Sequence, residues 1–237
     1  MPVRQLAELT LTRAHRLRGG ATWQHVYALL RDAIVSVALE PGQQLSENDL
    51  AMRIGVSRTP IREALVRLRD DRLVEIVPQL GTFVTRISPA ALADAQFVRE
   101  SLECAAVRLV AQHSNAEAVQ GLQAILERQV QTHASGDLDR FYVLDDEFHR
   151  ALCSLSGRGI AWELSQRASG HLNRIRRLSL AQPDYIPEMI NEHQAVLDAI
   201  ADRKPALGEK ALRHHLRMVL SSLPDIEALH PEFFASD

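Results

Sequence analysis

A chain of 237 residues, 46% hydrophobic and 24% charged, has the composition of a soluble globular protein and room for two domains of ordinary size. No apolar run approaches the roughly 20 residues needed to cross a bilayer, and the arginine-bearing N-terminus lacks the apolar core of a secretory signal, so a membrane-spanning or exported chain is not expected. The net charge of −3 and pI of 6.4 argue against a nucleic-acid binder only until the chain is divided: residues 1–87 carry 12 Lys and Arg against 9 Asp and Glu, the remainder 15 against 21.

Residues 1–22, closing on Gly19-Gly20, read as a polar, flexible lead-in in which Leu6 to Leu17 becomes helical when held against a surface. From Trp23 to Val37 apolar residues recur at helical spacing, and Glu40-Pro41-Gly42 is a turn signal that stops the run. Ser46-Glu47-Asn48-Asp49 has the form of a capping box, with Asp49 a shorter substitute for the usual Glu or Gln, and a brief helix follows to Ile54. Gly55 then turns the chain into a second helix, with Ser57 placed as its cap and Pro60 tolerated in its first turn. Arg58 and Arg62 stand four residues apart and project from one face, whereas Ala64, Leu65 and Leu68 mark another face as packed. Such a helix suits a major groove. Leu73–Val77 and Thr82–Ile87, joined through Pro78-Gln79-Leu80-Gly81, read as a β-hairpin, the wing of a winged helix-turn-helix over residues 23–87.

Over roughly residues 23–87 this module resembles the N-terminal domain of the GntR family of bacterial transcription regulators. The matching residues are the Pro41-Gly42 turn, Leu45-Ser46-Glu47, Leu50-Ala51, Val56 to Leu65, Leu68, Leu73-Val74 and Gly81-Thr82-Phe83-Val84. The resemblance implies operator contacts from Arg58, Thr59 and Arg62, with Ser57 beside them, and places Gly81 at the wing tip near the minor groove. Asn48 falls where some members carry an arginine on the preceding helix, and it is counted among the DNA-facing residues.

Beyond Ile87 nearly every segment has period 3.6. Helices are expected at about 89–112, 116–134, 138–155, 159–181, 185–203 and 206–222, with a last short turn near 225–229. The fold class is therefore mainly α: a winged helix-turn-helix followed, over 88–237, by an antiparallel bundle of six to seven helices. Cys104 and Cys153 lie in half-apolar helical patterns and read as inert core thiols in a reducing cytoplasm.

Asp145 and His149 are spaced i, i+4 on one predicted helix, His193 lies on a second, and His214-His215 on a third. A carboxylate and three imidazoles from three helices can converge in a bundle core, and mixed oxygen and nitrogen ligation suits a borderline divalent ion. The segments Val98–Ala106, Asp145–Leu152, Glu192–Ile200 and Ala211–Leu216 resemble the C-terminal ligand-binding (FCD) domain of the FadR branch of GntR regulators, over roughly residues 90–225. Its metal-binding members use an Asp-x-x-x-His pair and two later histidines, which map onto Asp145, His149, His193 and His215, with zinc the expected ion and nickel or manganese the alternatives. Arg99 resembles an arginine that faces the pocket in this branch, and Arg174 offers a second anion partner, whereas Arg176 reads as part of a solvated face. Arginine beside a metal implies an anionic effector, a small carboxylate or sugar acid.

These readings combine into a cytoplasmic, dimeric repressor that binds an inverted-repeat operator in double-stranded DNA. No nucleophile beside a base and no glycine-rich phosphate loop appears, so an enzyme is not expected. The alternatives are a metal-dependent hydrolase fused to a DNA-binding module, and a constitutive DNA binder with a structural metal.

Overall fold

The structure, a computed structural model, describes residues 22–235. The predicted lead-in lies outside the described residues apart from Thr22. The chain divides into two compact units, one of residues up to 92 with 170–174 and those from 227 onward, the other of residues 93–169 and 175–226.

In the first unit, α1 (Trp23–Val35) buries Val26, Leu30, Ala33 and Ile34 along one stripe. That stripe packs on Ile61, Ala64, Leu65 and Leu68 of α3 (Arg58–Asp70), with Leu50 and Ile54 of α2 (Glu47–Ile54) in the same core. Ser46 caps α2 as expected, its hydroxyl accepting from the Asp49 amide at 3.3 Å. Gly55 closes that helix at φ 77°, a left-handed conformation that lets the chain turn into α3 without a Cβ clash. Three short strands, β1 (Gln44–Leu45), β2 (Val74–Val77) and β3 (Gly81–Val84), form an antiparallel sheet in the order β1-β3-β2. Leu45 and Ile76 both pair with Thr82, and Val77 pairs with Gly81. The strand over 82–87 stops at Val84, because the Thr85 amide turns to the Leu73 carbonyl and Ile87 instead forms a parallel bridge with Phe234.

The rest of the chain is helical: α4 (Pro89–His113), α5 (Ala116–Ser135), α6 (Leu138–Leu155), α7 (Ile160–Ala168), α8 (Gly170–Ser179), α9 (Tyr185–Ala201), α10 (Pro205–Ser221) and α11 (Leu223–Leu229). These helices make the second unit a bundle, while the first half of α8 belongs to the first unit. Asn115 and Asp137 cap α5 and α6 through side-chain oxygens. Val107, Val110, Leu122, Leu126, Phe148, Leu152, Val196, Ile200, Leu212 and Leu216 share one buried core. The helix expected over 159–181 is interrupted at Ser169, whose hydroxyl donates to the Ser165 carbonyl at 2.6 Å and competes with the helical ladder there. Residues 223–229 form a full helix, not a single turn.

Candidate functional site

On the first unit, Ser57, Arg58, Thr59 and Arg62 are all at the N-terminal end of α3 and open to solvent, and Asn48 is on α2. Ser57 occupies the N-cap position, yet its side chain makes no capping hydrogen bond, which corrects the capping role expected of it. Arg58 Nη2 and Arg62 Nε both donate to Glu47 Oε2 at 2.8 Å. Glu47 thus holds the two guanidinium groups together, and the Arg58 hydrogen bond keeps its carboxyl below the usual range against the opposing effect of desolvation. The expected wing-tip role of Gly81 needs correction. The tip is Pro78-Gln79-Leu80, and Gly81 is in the closing pair with Val77 at φ 124°, where a Cβ would come within 2.9 Å of Gln44 Nε2.

In the bundle, Asp145 and His149 from α6, His193 from α9 and His215 from α10 converge, with one ligand atom from each lying within 4.8 Å of the others. All four are buried. His215 Nε2 lies 3.2 Å from His149 Nε2 and 3.1 Å from His193 Nε2. Asp145 Oδ1 lies 3.4 Å from His193 Nε2 and 3.6 Å from His149 Nε2, and has no hydrogen-bond partner of its own.

The far side of each ring explains this arrangement. His149 Nδ1 lies 2.7 Å from Glu103 Oε2, His193 Nδ1 lies 2.8 Å from Gln129 Oε1, and His215 Nδ1 lies 3.0 Å from Glu192 Oε2. Gln129 is fixed in orientation because its Nε2 donates to the Leu144 carbonyl, leaving Oε1 to accept. Each imidazole therefore carries its proton on Nδ1, and three Nε2 lone pairs face one another and an orphaned carboxylate oxygen. Such a cluster requires a cation at its centre. Ligands at about 2.1 Å from one ion stand roughly 3.0–3.4 Å apart, close to the observed separations, and the donor set suits a divalent metal.

Charge states agree with this chemistry. Burial, reinforced by His215, holds His193 well below the usual histidine range, and burial with His149 does the same for His215. Burial opposes protonation of His149, but Glu103 outweighs it and raises that pKa, so in the metal-free chain a proton on His149 supplies the cation. Glu103 is itself held at about 2, burial being outweighed by Arg99 and then His149.

Arg174, expected at the pocket, is not there. Its guanidinium donates to the Thr85 carbonyl, and its Nη2 lies 3.1 Å from His171 Nδ1, all within the first unit. Arg176, read from the sequence as solvated, takes that place: it is buried and bonds Asp145 and Asp146. Two residues along a helix amount to about 200° of rotation, so the two arginines point to opposite sides. Arg99 does line the cavity beside Asp145 and His215. Glu192 follows the same logic as Arg176: it was expected to point away from the ligands, but it contacts the ring of a histidine on the neighbouring helix. The orienting roles of Glu103 and Gln129 were missed too. Only the i, i+4 spacing of Arg99 and Glu103 hinted at either.

Residues 94–218 match the FCD domain, and residues 22–84 match the family described as bacterial regulatory proteins, gntR family. The chain is 38% identical to an uncharacterized HTH-type transcriptional regulator in an unstable DNA locus of Streptomyces ambofaciens, over 92% of both chains. It is 31% identical to the HTH-type transcriptional repressor RspR of Escherichia coli K12, over 90% of this chain and 94% of the relative. The solved structure of E. coli McbR/YncC superposes with a TM-score of 0.76 over 87% of this chain and 99% of that one; at 22% identity it speaks for the fold. Among the described residues, no helix is long and apolar enough to cross a membrane.

Proposed function

Because the chain belongs to the GntR family of bacterial regulators, in the branch that carries an FCD domain, we propose that it is a metabolite-responsive repressor working as a dimer on an inverted-repeat operator. Family membership makes it a DNA-binding transcription regulator and not an enzyme, which sets aside the hydrolase alternative. The DNA-binding domain spans 23–87 and the effector-binding and dimerisation domain 88–237, in a cytoplasmic protein. Arg58, Thr59 and Arg62, with Ser57 and Asn48 beside them, read the operator, and the wing carrying Gly81 tracks the neighbouring groove.

Asp145, His149, His193 and His215 hold a divalent ion, zinc by donor set, with nickel or manganese as substitutes. The ion supplies a Lewis-acidic point of attachment for an anionic effector, a small carboxylate or sugar acid. Arg99 is the guanidinium beside it, whereas Arg174 is replaced in that role. The effector acts by its difference in affinity for the DNA-competent and DNA-incompetent states.

One observation carries this reading: three histidine Nε2 atoms face one another with every Nδ1 already engaged, in a chain that also bears a winged helix-turn-helix. The test has two arms. Elemental analysis of His149→Ala should show metal lost relative to wild type, and an unchanged metal-to-protein ratio would refute the ligand set. Genomic fragments captured by folded, dimeric wild-type protein should be retained more tightly than random DNA, and retention equal to random DNA would refute the operator.

A further inference from the structure

The cavity beside the Asp145 and His215 edge of the metal cluster is small and has a polar end and an apolar end. It encloses about 20 Å³, room for one water-sized group. Arg99, Tyr142 and Arg176 line its polar end, and Leu180, Met189 and Val219 its apolar wall.

The two guanidinium groups differ in what they have left to donate. Arg176 is saturated by carboxylates: its Nη2 bonds Asp145 Oδ2 and, at 2.8 Å, Asp146 Oδ1, while its Nη1 reaches the Tyr142 hydroxyl at 3.4 Å. Arg99 gives Nε to Glu103 at 2.9 Å, but its Nη2 is buried without any acceptor, on a residue only 2% exposed. A buried charged donor left unpaired is costly, so this N–H edge is built for a ligand oxygen.

Resting on the carboxylate-sensing reading above, we propose that the effector is a short monocarboxylate of roughly two to four carbons, its one carboxylate on Arg99 Nη2 and its tail against Leu180, Met189 and Val219. A second carboxylate has no cation to meet among the described lining residues, since two aspartates already neutralise Arg176, and it would lie close to the Asp145 charge. The hydroxyl groups of a sugar acid would be buried against an apolar wall with no partner, and its longer skeleton exceeds the room available. A short tail is admitted by expelling the water-sized group and turning the unbranched Met189 side chain.

Titration calorimetry of the zinc-loaded full chain with acetate, L-lactate, malonate, succinate and D-glucuronate tests this. Acetate or lactate should bind at least about tenfold more tightly than the other three, and Arg99→Lys should lose about tenfold of that affinity while keeping its zinc. If Arg99→Lys misfolds by circular dichroism, Met189→Ala serves in its place and should shift the preference toward longer monocarboxylates. Malonate, succinate or glucuronate binding as tightly as the monocarboxylates would overturn the proposal while leaving carboxylate sensing intact. An unchanged chain-length profile in Met189→Ala would likewise refute the placement of the tail. If none of the five acids gives heat with protein that holds zinc and selects DNA, carboxylate sensing itself fails and the proposal falls with it.

Discussion

Replacing Glu103 separates what the bundle gains in stability from what it gains in metal affinity. Glu103 is fully buried, 2.9 Å from Arg99 Nε and 2.7 Å from His149 Nδ1, and Arg99 is only 2% exposed. Glu103→Gln leaves the Arg99 charge buried with a neutral neighbour, and breaking a buried pair from one side costs about 3–5 kcal/mol. The variant also weakens the acceptor that orients His149, and loss of such an outer-shell partner lowers metal affinity by about 10–100-fold. The double variant Glu103→Gln/Arg99→Met removes both charges and should recover much of the stability but none of the metal affinity. Urea unfolding in chelator-treated buffer measures the first quantity, and zinc competition against a chelator of known affinity measures the second. A loss under about 1 kcal/mol in the single variant would mean that Glu103 is not holding a buried charge, and unchanged zinc affinity would mean that His149 needs no orienting partner.

Three further expectations follow from the first unit. Glu47→Gln frees Arg58 and Arg62 from their shared carboxylate and removes a negative charge from the DNA-facing end, so affinity for random duplex should rise, with a steeper salt dependence in fluorescence anisotropy; unchanged binding would place those arginines away from DNA. Burial, reinforced by Arg174, depresses His171 from 6.5 to about 4. Since the unfolded chain takes up that proton first, the associated stability is complete above pH 6.5 and is lost as pH falls through about 4; melting curves across that window should show a shallower acid loss in His171→Gln than in wild type. Gly81→Val should destabilise the chain by about 1–3 kcal/mol, because φ 124° disfavours any Cβ and Gln44 Nε2 stands 2.9 Å away, and thermal melting should register it.

Local signals carried the sequence far where the physics is local. The turn at Gly55, the cap at Ser46 and the buried stripe of Ile61, Ala64, Leu65 and Leu68 follow from backbone conformational preference and helical period, which neighbouring residues alone determine. The Asp145 and His149 pair was legible for the same reason, since i and i+4 share a face of any helix. Which of His214 and His215 turns inward was legible too, given the apolar phase of the helix carrying them.

Other features depended on elements distant in sequence. Strand β1 is too short to leave a pattern and exists only because β3 offers it a partner. The break at Ser169 splits a segment whose apolar period runs on without interruption, and the phase of the second half then decides that Arg176, not Arg174, reaches Asp145. Gln129 and Glu192 orient histidines on helices other than their own, a choice set by how those helices pack. Residue type and period thus fixed which side chains carry the chemistry; only packing in three dimensions decided which of them meet, because a hydrogen bond or an ion pair is made across space and leaves no spacing in the chain.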